Sequence, residues 1–208
     1  LYEDQKQGEK VKVTCTKSNE GFATAGGVQY VACAGNFKDA GLEYTGALKV
    51  LQMIFSYEYL WIQIRVKGGA YGCMCSFSDQ GDSMFVTYRD PNLSESYKVY
   101  DEAADYVADF DADDRDMKKY IIGTIGSMDM PMEAVDMGAR SFHAYFLGKT
   151  EADLQKVRDQ VLSCTQEDIR ALAPIVKAVV EAGNRCCIGN EEKIDQNKEY
   201  FDEVKHVL

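Results

Sequence analysis

Apolar positions along this chain switch between two periods, and each switch marks an element. From Thr45 to Val66, Leu48, Leu51, Phe55, Tyr59, Ile62 and Val66 fall on one stripe, the repeat of an amphipathic helix. Gly68 and Gly69 are expected to stop it, because glycine adopts left-handed backbone without a Cβ penalty. The period then drops to two. Tyr71, Cys73, Cys75 and Phe77 share one strand face, and Gly72, Met74 and Ser76 the other. Ser78 to Ser83, with Gly81, reads as a turn into Met84 to Tyr88, giving an antiparallel hairpin that Asp90 and Pro91 end. Upstream, Val28 to Ala34 reads as a buried strand. Val11, Val13 and Cys15 alternate as a short strand would, before the polar, glycine-bearing stretch Lys17 to Gly27.

The remainder is mainly helical. Tyr97, Tyr100, Ala104 and Val107 form one stripe, Met117 to Met128 predicts a second helix, and Pro131 suits the first turn of a third. Thr150 to Asp153 and Thr165 to Asp168 are matching capping signals for two more. Gly183 closes the last, and Arg185 to Ile188 predicts a returning strand. This order predicts a single α+β domain, a mainly antiparallel sheet with helices packed on one face. Residues 1–24 read as a leading segment or linker from a preceding domain, and 25–208 as the domain itself.

A chain of 208 residues suits one such core. Its opening at Leu1, with no basic-then-apolar leader, reads as a fragment of something longer. The apolar run Ala47 to Val66 contains Lys49, Gln52, Glu58, Gln63 and Arg65, which argues for a core helix and against a membrane span. Net charge is −11. Such a surface repels phosphate backbones, so no nucleic-acid partner is expected; it attracts cationic ligands, basic peptides among them, or simply confers solubility. Seven cysteines, an odd count, suggest a reducing compartment with free and mostly buried thiols.

The candidate chemistry is sparse. Cys73 with Cys75, and Cys186 with Cys187, lack zinc-knuckle spacing, and the first pair reads as small core residues. Asp109, Asp111 and Asp113 resemble the start of a calcium loop. Asp114 stands where its glycine should be and Tyr120 where its last glutamate should be, so an acidic segment favouring a helix N-terminus is the better account. His143 and His206 sit in no zinc-protease motif, and His143, beside Phe142 and Tyr145, reads as structural. No metal site and no complete catalytic apparatus are expected. The informative stretch runs from Ile64 to Gly72. Arg65 ends the long helix, Tyr71 opens the next strand, and the glycines between them permit a sharp reversal that points both side chains the same way. Such a pair can hold a peptide carbonyl and stabilise charge developing on it. It can equally be a helix-capping arginine and a half-buried tyrosine.

Tyr59-Leu-Trp-Ile-Gln-Ile-Arg-Val-Lys-Gly-Gly-Ala-Tyr-Gly72 resembles the signature of the last domain of presequence proteases, a branch of the insulysin/pitrilysin metallopeptidases. Ser76 to Ser78, Tyr88-Arg-Asp-Pro-Asn-Leu93, Tyr120-Ile-Ile-Gly-Thr-Ile-Gly126 and Phe201-Asp-Glu-Val-Lys205 continue the match in order. The resemblance implies a four-domain clamshell peptidase whose zinc is bound by the first domain, absent here, so this chain alone should be inactive. It further implies that Arg65 and Tyr71 contact the substrate near the scissile bond, with Gly68 and Gly69 in the same binding turn. The implied partners are peptide substrates and the other domains of the same chain; no membrane partner is expected from the charged residues of the Ala47 to Val66 run. Two rivals remain, a non-catalytic scaffold of the same family and a stand-alone binder of cationic peptides. The expected setting is bacterial cytoplasm, or else an organelle matrix.

Overall fold

The computed structural model describes residues 11, 14 and 16–207. Six strands form one mixed sheet: β1 (Glu20–Thr24), β2 (Tyr30–Asn36), β3 (Gly72–Phe77), β4 (Asp82–Tyr88), β5 (Asn184–Asn190) and β6 (Glu203–His206). Their spatial order is β3-β4-β2-β5-β1-β6. Neighbours among the first four in that order are antiparallel, while β1 lies parallel between β5 and β6. Alternation sets the faces. Val31, Cys33, Phe85, Cys75 and Cys187 point into the core, whereas Met74, Met84, Tyr88 and Ile188 on the other face are exposed.

The helices cover the core face. Helix α1 (Ala47–Tyr57) packs on β3 through Leu51, Ile54 and Phe55. Phe55 is the hub of an aromatic cluster, its ring centroid 5.7 Å from Phe85, 5.8 Å from Tyr59 and 6.4 Å from Phe77. Burying each such side chain contributes about 1.5–3 kcal/mol. Helix α2 (Ser94–Asp101) sends Tyr97 and Tyr100 beneath the sheet, where their hydroxyls donate to the Cys186 and Val31 carbonyls, both at 3.1 Å. The remaining helices are α3 (Ala103–Ala108), α4 (Asp114–Met128), α5 (Ala134–Phe146), α6 (Glu151–Leu162), α7 (Gln166–Arg170), α8 (Ala173–Glu181) and α9 (Glu191–Gln196). Helix α8 lies against β2 so closely that a Cβ on Gly35 would stand 2.4 Å from the Val179 carbonyl oxygen.

Much of the expected order is present: the hairpin, the strand near Val28, the returning strand, both threonine capping boxes and the Gly183 stop at φ +62°. Asp113 caps α4 by accepting from the Asp116 amide at 2.8 Å, as the acidic segment suggested.

Several expectations need correction. The polar stretch before Gly27 contains β1, an interior strand whose alternation is masked by Gly21 and Ala23 as its buried residues. In the short strand expected at Val11, Val13 and Cys15, the last two residues lie outside the described ones, and Val11 is exposed and carries no strand. The long helix is not continuous. At Glu58 the backbone departs to φ −108°, ψ −80°, and Trp61–Lys67 continues as a π-helix. That wider turn rotates the buried stripe onto Leu60 and Ile64, leaving Ile62 and Val66 exposed. The Tyr97–Val107 stripe divides at Glu102, so Ala103 is buried and Ala104 only half-buried. Pro131 lies before α5, which starts at Ala134, and Pro174 instead opens α8. Helix α5 buries no residue, and His143 on it is exposed, so the structural role expected of that histidine has no packing behind it among the described residues. Among the described residues, no helix is long and apolar enough to cross a membrane.

Candidate functional site

The π-helical segment decides where Arg65 points. Its last turn closes with the Gly68 amide on the Gln63 carbonyl (3.0 Å) and the Ala70 amide on the Ile64 carbonyl (3.1 Å). These wide turns pull the chain round so that β3 starts beside the helix end. The two glycines serve different needs. Gly69 has φ +80°, the left-handed region. Gly68 is right-handed, at φ −81°, but a Cβ there would stand 2.5 Å from the Ile64 carbonyl oxygen. Only one of the pair is therefore the left-handed stop expected of both.

Arg65 and Tyr71 come together as the sequence suggested. The Arg65 guanidinium carbon lies 5.4 Å from the centre of the Tyr71 ring, and Nη1 donates to the Tyr71 carbonyl. Trp61, one helical turn earlier, also presents its ring to the guanidinium, at 4.5 Å. Sequence reasoning passed over Trp61, although its place four residues before Arg65 on one helix face was available as a signal. The rings remain open to solvent, Trp61 at 41% and Tyr71 at 63% exposure. A guanidinium held against two aromatic rings gains cation–π attraction and loses rotational freedom. Arg158, Arg170 and Arg185 each face an aspartate. Among the described residues no carboxylate pairs with Arg65, so its charge is available to a ligand.

The rings continue across the open sheet face. Tyr71 meets Tyr88 edge-on at 5.8 Å, and Tyr88 meets Tyr30 at 5.4 Å. Beneath them Cys73 is half-buried; burial pushes its thiol up to about 11, with the Arg65 charge opposing the rise. A cleft of ≈ 510 Å³ between α1 and α4 reaches Trp61 and is lined by Met53 and Met128, but Arg65 and Tyr71 stand outside it. Among the described residues, no group of three or more His, Cys, Asp or Glu converges so as to hold a metal ion.

Comparison with known proteins places the chain in a family. The family model described as the PreP C-terminal domain matches residues 19–190. The protein HypA of Clostridium perfringens is 43% identical over 192 residues, covering 92% of this chain and 20% of that relative. Presequence protease 1, chloroplastic/mitochondrial, of Arabidopsis thaliana is 34% identical over 194 residues, covering 91% of this chain and 18% of the relative. The chain thus spans about a fifth of the length of these relatives. The inactive domain of a peptidase M16 from Pseudomonas fluorescens has the same fold, with TM-score 0.57 and 16% identity over 86% of this chain and 45% of that one. Pitrilysin also shares it, with TM-score 0.52 and 12% identity over 85% of this chain and 20% of that one.

Proposed function

Because this chain belongs to the PreP C-terminal domain family, we propose that it is the substrate-gripping domain of a longer zinc-dependent peptidase, with Arg65 and Tyr71 as its substrate contacts. The observation that carries this reading is the Arg65 guanidinium, within cation–π distance of two exposed rings and without a carboxylate partner among the described residues. One N–H is spent on the Tyr71 carbonyl. The remaining donors, with the Tyr71 phenol, are free to hold a peptide carbonyl and to stabilise negative charge developing on its oxygen. Gly68 and Gly69 serve by shaping the turn that sets the two side chains together.

The described residues do not fit a zinc site. The metal of such a peptidase would be held by another part of the longer chain, and this domain's contribution is binding and electrostatic. The exposed apolar residues of α5, among them Val135, Phe142 and Phe146 at 79%, 61% and 68%, suit a surface covered by neighbouring domains. The net charge of −11 favours basic peptides. The free thiols among the described residues suit a reducing compartment, for which we favour bacterial cytoplasm over an organelle matrix.

The test is peptide hydrolysis by the full-length protein carrying Arg65→Ala or Tyr71→Phe. Loss of an oxyanion donor should lower kcat by roughly a hundredfold for Arg65→Ala, with the unfolding midpoint preserved. Wild-type turnover in both variants would return the pair to a structural role. The 208-residue chain alone should be inactive; tight binding of cationic peptides by it would favour a stand-alone binding module instead.

A further inference from the structure

The segment Arg89-Asp-Pro-Asn-Leu93 follows β4 and takes no part in the site as described, yet it grips the site's turn at both ends. The Asn92 side-chain amide donates to the Gly68 carbonyl at 2.6 Å. The Arg89 carbonyl accepts the Tyr71 amide at 3.3 Å. Between these anchors, Pro91 lies 3.6 Å from where a Cβ on Gly69 would stand.

Two features of this segment cost free energy. Arg89 has φ +50° and is the one non-glycine residue with positive φ among the described residues. Such conformations persist only where the surroundings hold them. Asp90 is fully buried, and the partners of its carboxylate are neutral: the Asn92 backbone amide at 2.9 Å, the Ser96 hydroxyl at 2.6 Å and the Thr87 side chain. A buried carboxylate held by neutral donors is expensive unless its hydrogen bonds are well made. The Asp90 backbone pairs both ways with Gln29, at 2.7 and 2.8 Å, and Gln29 is itself buried and accepts the Asn190 amide at 2.8 Å. The segment is thus tied to β5 from below, and its upper side carries the two bonds to the Gly68–Tyr71 turn.

We propose that Asn92, held in place by Asp90, is a positioning residue that fixes the helix-to-strand turn and thereby sets Arg65 against Tyr71. This rests on the reading of Arg65 and Tyr71 as substrate contacts. Tertiary placement by a side chain suits the role because the turn is glycine-rich and would otherwise sample several geometries. Small errors in placement are costly in a site that works by orientation.

Two measurements test it. Trp61 is the single tryptophan of this chain and stacks on Arg65, so its emission and acrylamide quenching report the position of that side chain. Asn92→Ala should raise quenching towards the level of Arg65→Ala while far-UV circular dichroism stays unchanged. In the full-length protein, Asn92→Ala should lower kcat on the order of tenfold or more with KM little altered. Asn92→Asp, which keeps the size but loses the amide donor, should behave like the alanine variant and serves in its place if that variant fails to fold. Wild-type quenching and turnover in the Asn92 variants, beside a crippled Arg65→Ala, would overturn the positioning role and leave the functional reading standing. Wild-type turnover in Arg65→Ala would remove the functional reading itself.

Discussion

Gly68 and Gly69 stand side by side in the site's turn, and the structure assigns them unequal penalties. Gly69→Ala places a Cβ in open space, its nearest neighbour Pro91 at 3.6 Å, but at φ +80°. The left-handed conformation costs an L-residue about 1–2 kcal/mol. Stiffening the unfolded chain returns about 0.4–1 kcal/mol of that. The net loss is about 1 kcal/mol, which for a chain of this size lowers Tm by about 2–4 °C. Gly69→Asn should lose less, since asparagine tolerates that region. Gly68→Ala has a permitted φ of −81°, yet its Cβ would meet the Ile64 carbonyl oxygen at 2.5 Å and that of Gln63 at 3.1 Å. Both contacts are backbone, so relief requires the π-helix end to open, an overpacking cost of about 1–3 kcal/mol. It also shifts the carbonyl that Asn92 holds. Thermal and urea unfolding of the three variants gives the order directly, and turnover in the full-length protein should follow it for Gly68→Ala. A Gly68→Ala variant more stable than Gly69→Ala would refute the steric reasoning, and a fully stable Gly69→Ala would refute the conformational one.

Other outcomes follow from the same structure. Burial pushes the Cys33 thiol up to about 11 and that of Cys187 up to about 12, while Cys186 is exposed. Mass mapping after iodoacetamide at pH 8 should therefore show Cys186 labelled well before those two, and equal labelling would contradict the packing of β2 against β5. Thr165→Ala should cost about 1 kcal/mol by urea titration, because its hydroxyl caps α7. Asp90 is held above the usual carboxylate range, burial outweighing the hydrogen bonds from Ser96, Asn92 and Thr87. In that case the native state binds the extra proton, so the cost of the buried charge is relieved as pH falls and complete once pH exceeds the folded value. Asp90→Asn should therefore compare more favourably with wild type at pH 7 than at pH 4, and a difference independent of pH would contradict this. If the acidic surface draws basic peptides, added salt should weaken a cationic peptide's KM in the full-length protein, and a salt-independent KM would exclude that steering.

The candidate site was legible where spacing alone fixes a contact. Arg65, two glycines and Tyr71 imply a reversal at a helix end, and in the structure arginine and tyrosine do meet. Trp61 was legible in principle and passed over. The clamp was not legible, because Asn92 and Gly68 lie 24 residues apart and nothing local in Tyr88–Leu93 tells a hairpin terminator from a brace.

The fold divides along the same line. Period two gave the hairpin and period 3.6 the helices, since each burial pattern is a local consequence of backbone geometry. The threonine boxes were readable because a cap is satisfied within four residues. Tertiary contact decided the rest. Strand β1 buries only Gly21 and Ala23, so no local alternation announces it; its identity comes from β5 and β6 on either side, residues more than 160 positions away. The break at Glu58 and the π-turns after it answer to core space that favours Leu60 and Ile64 over Ile62 and Val66. Helix α5 carries an apolar pattern that buries no residue among the described ones. A period announces an apolar face, and only the packed neighbours decide which residues it buries.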